Sequence, residues 1–151
     1  MKREAQQHEW KWDQGPIGRL VKNSYITLRR EMEKELKATG LSHTQWSALG
    51  AIRHFPGITS SELELVLMIE RPSVTSLING LAAKGLVIRK DHPEDGRYKR
   101  IFLTDEGLRL AEETQHLAAD VDRHVREGMT EEEFETLKKL LVKMVGLFEK
   151  E

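Results

Sequence analysis

The chain has 151 residues, 38% of them hydrophobic and 32% charged, with a formal net charge of -1 and no cysteine. This composition suits one domain-sized, soluble, helix-rich unit, and it excludes disulfides, thiolate catalysis and thiol-based redox sensing. The opening residues MKREAQQHEWKWDQG contain no apolar run, so neither a signal peptide nor a membrane span is expected, and the expected compartment is the cytoplasm.

Gly15-Pro16 opens the first predicted helix, because proline is preorganised for a first turn, and Gly40 stops it. Ile17, Leu20, Val21, Ser24, Leu28, Met32 and Leu36 give that helix one mainly apolar face. Ser42 and Gln45 read as a capping box that starts a second helix, ended near Phe55 by Pro56-Gly57. Thr59 and Glu62 read as another box, opening a short helix to about Met68.

After a tight turn at Ile69, Glu70 and Arg71, a further helix is expected from near Pro72. Its Val74, Leu77, Ile78 and Leu81 recur at helical spacing and form a buried face. The outward residues Ser73, Thr75, Ser76 and Asn79 are short and neutral, with Arg71 at the helix entrance. An exposed helix that needed only solubility would favour Glu and Lys, which are better helix formers. Small polar side chains instead let a helix lie against a surface of donors and acceptors, such as the major groove of DNA. The bland alternative is an ordinary helical hairpin with a Ser/Thr-rich face.

Gly85 to Lys90 and Arg100 to Thr104 read as two strands around the turn-forming Pro93, Asp95 and Gly96, a hairpin with a long charged tip. A lone hairpin is marginal in water, so it must lean on helices. Thr104 caps a predicted long helix to about Glu127. Thr130 with Glu133 caps the last, in which Phe134, Leu137, Leu140, Leu141, Met144, Val145 and Phe148 repeat at helical spacing. No repeat or linker divides the chain.

Charge is unevenly spread. Residues 71–100 hold seven Lys or Arg against three acids, a balance of +4, whereas residues 104–135 hold three Arg against eleven acids, a balance of -8. Such a basic patch attracts phosphate without a high overall pI.

Helix, turn, helix and basic-tipped hairpin, in that order, form a winged helix-turn-helix. Here the sequence resembles the MarR family of transcriptional regulators over nearly its whole length. The wing pattern D-x-R followed by a strand ending in L-T-x-x-G appears as Asp95-Gly96-Arg97 and Leu103-Thr104-Asp105-Glu106-Gly107. The recognition-helix pattern appears as Ser73, Val74, Thr75, Leu77, Ile78 and Leu81, trailed by Lys84-Gly85-Leu86-Val87. Met68 stands where a turn glycine is frequent, and Pro72 opens the recognition helix.

The resemblance implies a mainly α fold of about six helices and a β-hairpin wing, forming one domain over 1–151. A DNA-binding lobe would span 41–103, and dimerisation helices 10–40 and 104–151. It implies a homodimeric, sequence-specific DNA-binding regulator on a pseudopalindromic operator, a repressor released by a small-molecule effector, with no cofactor. The expected DNA-binding residues are Arg71, Ser73, Thr75, Ser76, Asn79, Asp95, Arg97 and Lys99. Arg97 would enter the minor groove, where a guanidinium meets concentrated negative potential, and Asp95 would fix Arg97 or its loop. Trp10 and Trp12 would pack across the dimer.

Tyr25, Trp46 and Arg89 are candidates for a pocket taking an aromatic or phenolic effector. His116, Asp120 and His124 share a helix face and could offer metal ligands, although a solvated polar stripe is the preferred reading and no metal is expected. No nucleophile-base pair or phosphate loop suggests an enzyme. The alternatives are a winged-helix protein-interaction module, or a metal- or ligand-sensing protein without DNA contact.

Overall fold

The structure is a computed structural model that describes residues 11–149. Trp10 and the Trp12 side chain, expected across a dimer, lie outside what is described. Seven α-helical segments run in chain order: α1 (Ile17–Leu36), α2 (His43–His54), α3 (Ser60–Leu67), α4 (Arg71–Ala83), α5 (Asp105–Thr114), α6 (His116–Glu127) and α7 (Glu131–Gly146). Strand β1 (Ile58–Thr59) precedes α3, and β2 (Val87–Asp91) and β3 (Lys99–Leu103) lie between α4 and α5.

The helix starts follow their caps. Ser42 with Gln45, Thr59 with Glu62 and Thr130 with Glu133 form complete reciprocal boxes, in which the hydroxyl accepts the N3 amide and the N3 side chain accepts the cap amide. The long helix expected from Thr104 to Glu127 is instead two segments abutting at Gln115, whose backbone stays helical. The cause lies one residue earlier. The Thr114 carbonyl accepts the Trp46 indole N–H at 3.2 Å, and the Thr114 hydroxyl donates back to the Leu110 carbonyl at 2.8 Å. A carbonyl taken from the side and a back-bonding threonine interrupt the helical ladder there. Counting α5 and α6 as one gives six helical units among the described residues.

The wing is a three-stranded antiparallel sheet in the order β1-β3-β2, not a simple hairpin. Ile58 pairs with Ile101 and Thr59 with Arg100, while Val87 pairs with Leu103 and Asp91 with Lys99. A strand of two residues carries no periodicity, and β1 is therefore silent in the sequence. Met68 ends α3 in the left-handed region at φ 53°, a conformation that costs an L residue about 1–2 kcal/mol. This is the turn position at which glycine is frequent in the family pattern that the sequence resembles.

One core joins the helices to the sheet. Leu36, Leu49, Ile52, Leu63, Val74, Leu81 and Ile101 are fully buried, so α1, α2, α3, α4 and β3 share it. Val74, Leu77, Ile78 and Leu81 all lie inward, as their spacing predicts. Along α7 only Phe134 is buried, whereas Leu140 is exposed, as are Leu147 and Phe148 just beyond the helix end at Gly146. No helix among the described residues is long and apolar enough to cross a membrane.

The junction of wing and α5 is the tightest approach. The Thr104 amide donates to the Leu86 carbonyl at 3.0 Å, and its hydroxyl donates to the Gly85 carbonyl at 2.7 Å while accepting the Gly107 amide. A Cβ at Gly107 would overlap the Leu86 carbonyl oxygen, a backbone atom that cannot swing aside. Gly107→Ala is expected to destabilise the chain by on the order of 1–3 kcal/mol, read as a lowered midpoint in urea unfolding. An unchanged midpoint would mean that the approach relaxes freely.

Candidate nucleic-acid interface

Burial of the apolar face of α4 leaves Ser73, Thr75, Ser76 and Asn79 exposed on the opposite side. They differ in freedom. The Thr75 hydroxyl donates to the Arg71 carbonyl at 3.2 Å, and Asn79 Oδ1 accepts from Arg89 Nη1 at 2.9 Å. Ser73 and Ser76, with Pro72 and with Ser42, Thr44 and Gln45 from the start of α2, line an open cleft of about 470 Å³. The α2 residues are a part of this surface that sequence reasoning missed. Their capping box was legible, but its lateral approach to α4 is a tertiary fact.

Arg71 begins α4 with its guanidinium directed towards α3, 3.6 Å from Glu64 and 3.5 Å from the Ser61 hydroxyl, and its side chain remains 73% exposed.

The wing tip is organised by Asp95. One carboxylate oxygen accepts both the Arg97 amide and Arg97 Nε at 3.0 Å, and the other accepts Arg97 Nη2 at 2.7 Å. The Asp95 carbonyl accepts the Tyr98 amide and the Tyr98 carbonyl accepts the His92 amide, closing the loop. The Arg97 guanidinium, seconded by the Arg97 amide, holds the Asp95 carboxyl below the usual carboxylate range, and Asp95 in turn raises Arg97. The Arg97 side chain is nevertheless 86% exposed, so the pair aims it without covering it.

All seven cations of residues 71–100 have a partner. Besides Arg71, Arg89 and Arg97, Lys99 pairs across the strands with Asp91, and Lys84 reaches the Gly40 carbonyl and Gln45 Oε1. Lys90 and Arg100 flank the Phe102 ring, each 5.2 Å from its centroid. The basic balance read from the sequence is therefore an ordered surface, with Arg97 and Arg71 its most open guanidinium groups among those in ion pairs here.

The proposed effector trio does not assemble. Trp46 is half-buried beside His43, ring centroids 5.7 Å apart, and Tyr25 meets the same imidazole edge-on at 6.2 Å. Burial lowers the His43 pKa, opposed by the Glu33 charge and aided by Arg29. Arg89, by contrast, is on β2 and committed to Asn79. Trp46 lines a different cleft, of about 490 Å³, with Gly50, Arg53, His54, Ala111, Thr114 and Gln115. Spacing along the chain could not reveal that Arg89 turns towards α4. The polar stripe of α6 is likewise internally paired: His116 Nδ1 and Arg123 each lie 2.7 Å from Asp120. Among the described residues no group of three or more His, Cys, Asp or Glu could hold a metal ion.

Residues 39–97 match the sequence model of the MarR family. The multiple antibiotic resistance protein MarR of Salmonella typhimurium is 29% identical over 131 residues, covering 86% of this chain and 91% of that protein. A mutant of E. coli MarR complexed with operator DNA superposes with a TM-score of 0.80 at 29% identity, over 85% of this chain and 93% of the other. The S. aureus MepR-DNA complex, at 23% identity, shares the fold with a TM-score of 0.84 over 89% and 99% of the two chains.

The Asp95-Arg97 pair has a direct solution signature. A carboxylate whose pKa is lowered by folding contributes stability above its unfolded value, and that contribution is lost as pH falls through the folded value. The Asp95 side-chain carbon resonance is thus expected to titrate below the ordinary value of about 3.9. A midpoint at or above that value would mean that the tip is not held as described.

Proposed function

Because the chain is a winged-helix regulator of the MarR family, we propose that it acts as a homodimeric repressor that binds a pseudopalindromic operator and is released by a small-molecule effector. In this reading residues 41–103 form the DNA-binding lobe, and the helices in 10–40 and 104–151 carry the dimer. Two copies of α4 would enter successive major grooves, with half-sites roughly one helical turn apart.

The observation that carries the proposal is the pairing of two surfaces on one lobe. The exposed Ser73, Thr75, Ser76 and Asn79 are small hydrogen-bonding groups on a helix that can approach base edges closely. Beside them stands a wing tip whose Arg97 is aimed outward by Asp95. Narrow minor grooves concentrate negative potential, which favours a guanidinium at such a tip. Arg71 and Lys99 supply phosphate contacts that set register without reading sequence.

A similar protein, the E. coli MarR mutant, is known in complex with operator DNA, which supports double-stranded DNA as the ligand class here. The dimer is favoured by the largely unburied apolar residues of α7, among them Leu140, Leu141 and Val145. The -8 balance of residues 104–135 favours the same arrangement, since an acidic half is repelled by a duplex. An effector would have to bind one arrangement of the two lobes better than the other. The cleft beside Trp46, where α2 meets α5, is suitably situated for that.

Arg97→Ala is expected to weaken binding to DNA flanking the protein's own gene by on the order of 1–3 kcal/mol at fixed salt, with an unchanged melting temperature because the side chain is exposed. Equal affinity of the variant and the native chain, with folding intact, would remove Arg97 from the interface. Failure of the native chain to bind any duplex above background would favour a protein-interaction or ligand-sensing module instead.

A further inference from the structure

We infer that Arg89 is a positioning residue that fixes which end of the Asn79 amide faces DNA, and so restricts the bases that α4 can accept. This rests on the DNA-binding reading above. Arg89 belongs to the wing and Asn79 to α4, and the contact between them is the 2.9 Å bond from Nη1 to Oδ1. The strand pleat explains the direction. Val87, two residues earlier and on the same face of β2, is buried in the core, so Arg89 turns towards α4 instead of away from it.

The chemistry of the pair leaves one orientation. A guanidinium has five N–H donors and no acceptor, so only the carbonyl end of the Asn79 amide can face Arg89. The NH2 end is then outermost. Asn79 lies three residues beyond Ser76 and four beyond Thr75, on the same exposed side of α4.

An unrestrained asparagine offers an acceptor and a donor together and can bridge adenine N6 and N7. With Oδ1 turned to Arg89, the end of the Asn79 amide left to face the duplex is the NH2 group, which can only donate. It suits guanine O6 and N7 or thymine O4, and it leaves the adenine N6 amino group without an acceptor. Discrimination of this kind comes from an unmatched group on the wrong base as much as from contact with the right one. Arg89 therefore acts on base choice through Asn79 without touching the base.

The test uses the full chain and an operator half-site duplex with each base pair varied in turn, for native protein, Arg89→Met, Asn79→Ala and the double variant. Methionine keeps the aliphatic reach of arginine and removes every donor. Arg89→Met should raise preference for adenine over guanine at one base pair by about tenfold, and that change should vanish in the Asn79→Ala background. Weakening that is uniform over all base pairs would make Arg89 a phosphate contact and overturn the proposal. So would the same shift in preference with Asn79 absent.

A DNA-free measurement separates this inference from the reading beneath it. The Asn79 side-chain carbonyl carbon resonance should move on Arg89→Met by more than the resonances of Ser73, and an unmoved resonance would show that the pair does not exist. If it moves but the native chain has no base preference, the DNA-binding reading fails and the inference falls with it.

Discussion

Thr104 is the point on which the arrangement of the wing depends. Its amide and hydroxyl hold the Leu86 and Gly85 carbonyls, at the end of α4 and the start of β2, and the same hydroxyl caps α5 through the Gly107 amide. Three elements thus meet within a few ångströms of one side chain. Gly107 completes the junction because any Cβ there would collide with the Leu86 carbonyl. The wing cannot rotate against α5 without breaking these bonds, so the position of Arg97 is tied to the helices that follow. Gly85 contributes the reversal, turning the chain from α4 into β2 at φ 72°, which glycine adopts without steric cost.

Electrostatics on this lobe work by placement more than by accumulated charge. Exposed ion pairs contribute little to stability, and those at Asp95-Arg97 and Asp91-Lys99 are of that kind. Their effect is conformational: each restricts a long cationic side chain before any partner arrives, which reduces the ordering cost of a later contact. In the proposed reading, an acid at the tip of a loop that meets DNA is then consistent. Asp95 gives up some attraction for the duplex and supplies three hydrogen bonds that aim Arg97.

Much of this was legible in the residues. The three capping boxes, the apolar spacing of Val74, Leu77, Ile78 and Leu81, and the D-x-R and L-T-x-x-G patterns marked the helix starts, the buried face of α4 and the wing. These signals are local, acting over four to eight residues, and local hydrogen bonds determine them. What was not legible depends on packing between distant segments. The two-residue β1 leaves no alternation to read, and the interruption at Gln115 arises where the Thr114 carbonyl accepts an indole 68 positions away from it, that of Trp46. The sequence offers Arg89 as a pocket partner of Tyr25 and Trp46, but the pleat of β2 sends it to Asn79. The start of α2 joined the candidate interface only because α2 and α4 lie side by side.

Dimethyl sulfate footprinting of the full chain on the DNA upstream of its own gene addresses the central claim most directly, since methylation at guanine N7 reads the major groove and at adenine N3 the minor groove, over both half-sites together. The account predicts two protected major-groove centres about 10 base pairs apart, each flanked by a minor-groove protection that disappears with Arg97→Ala while the centres remain. A single unpaired patch, or flanking protections that survive the loss of Arg97, would contradict it.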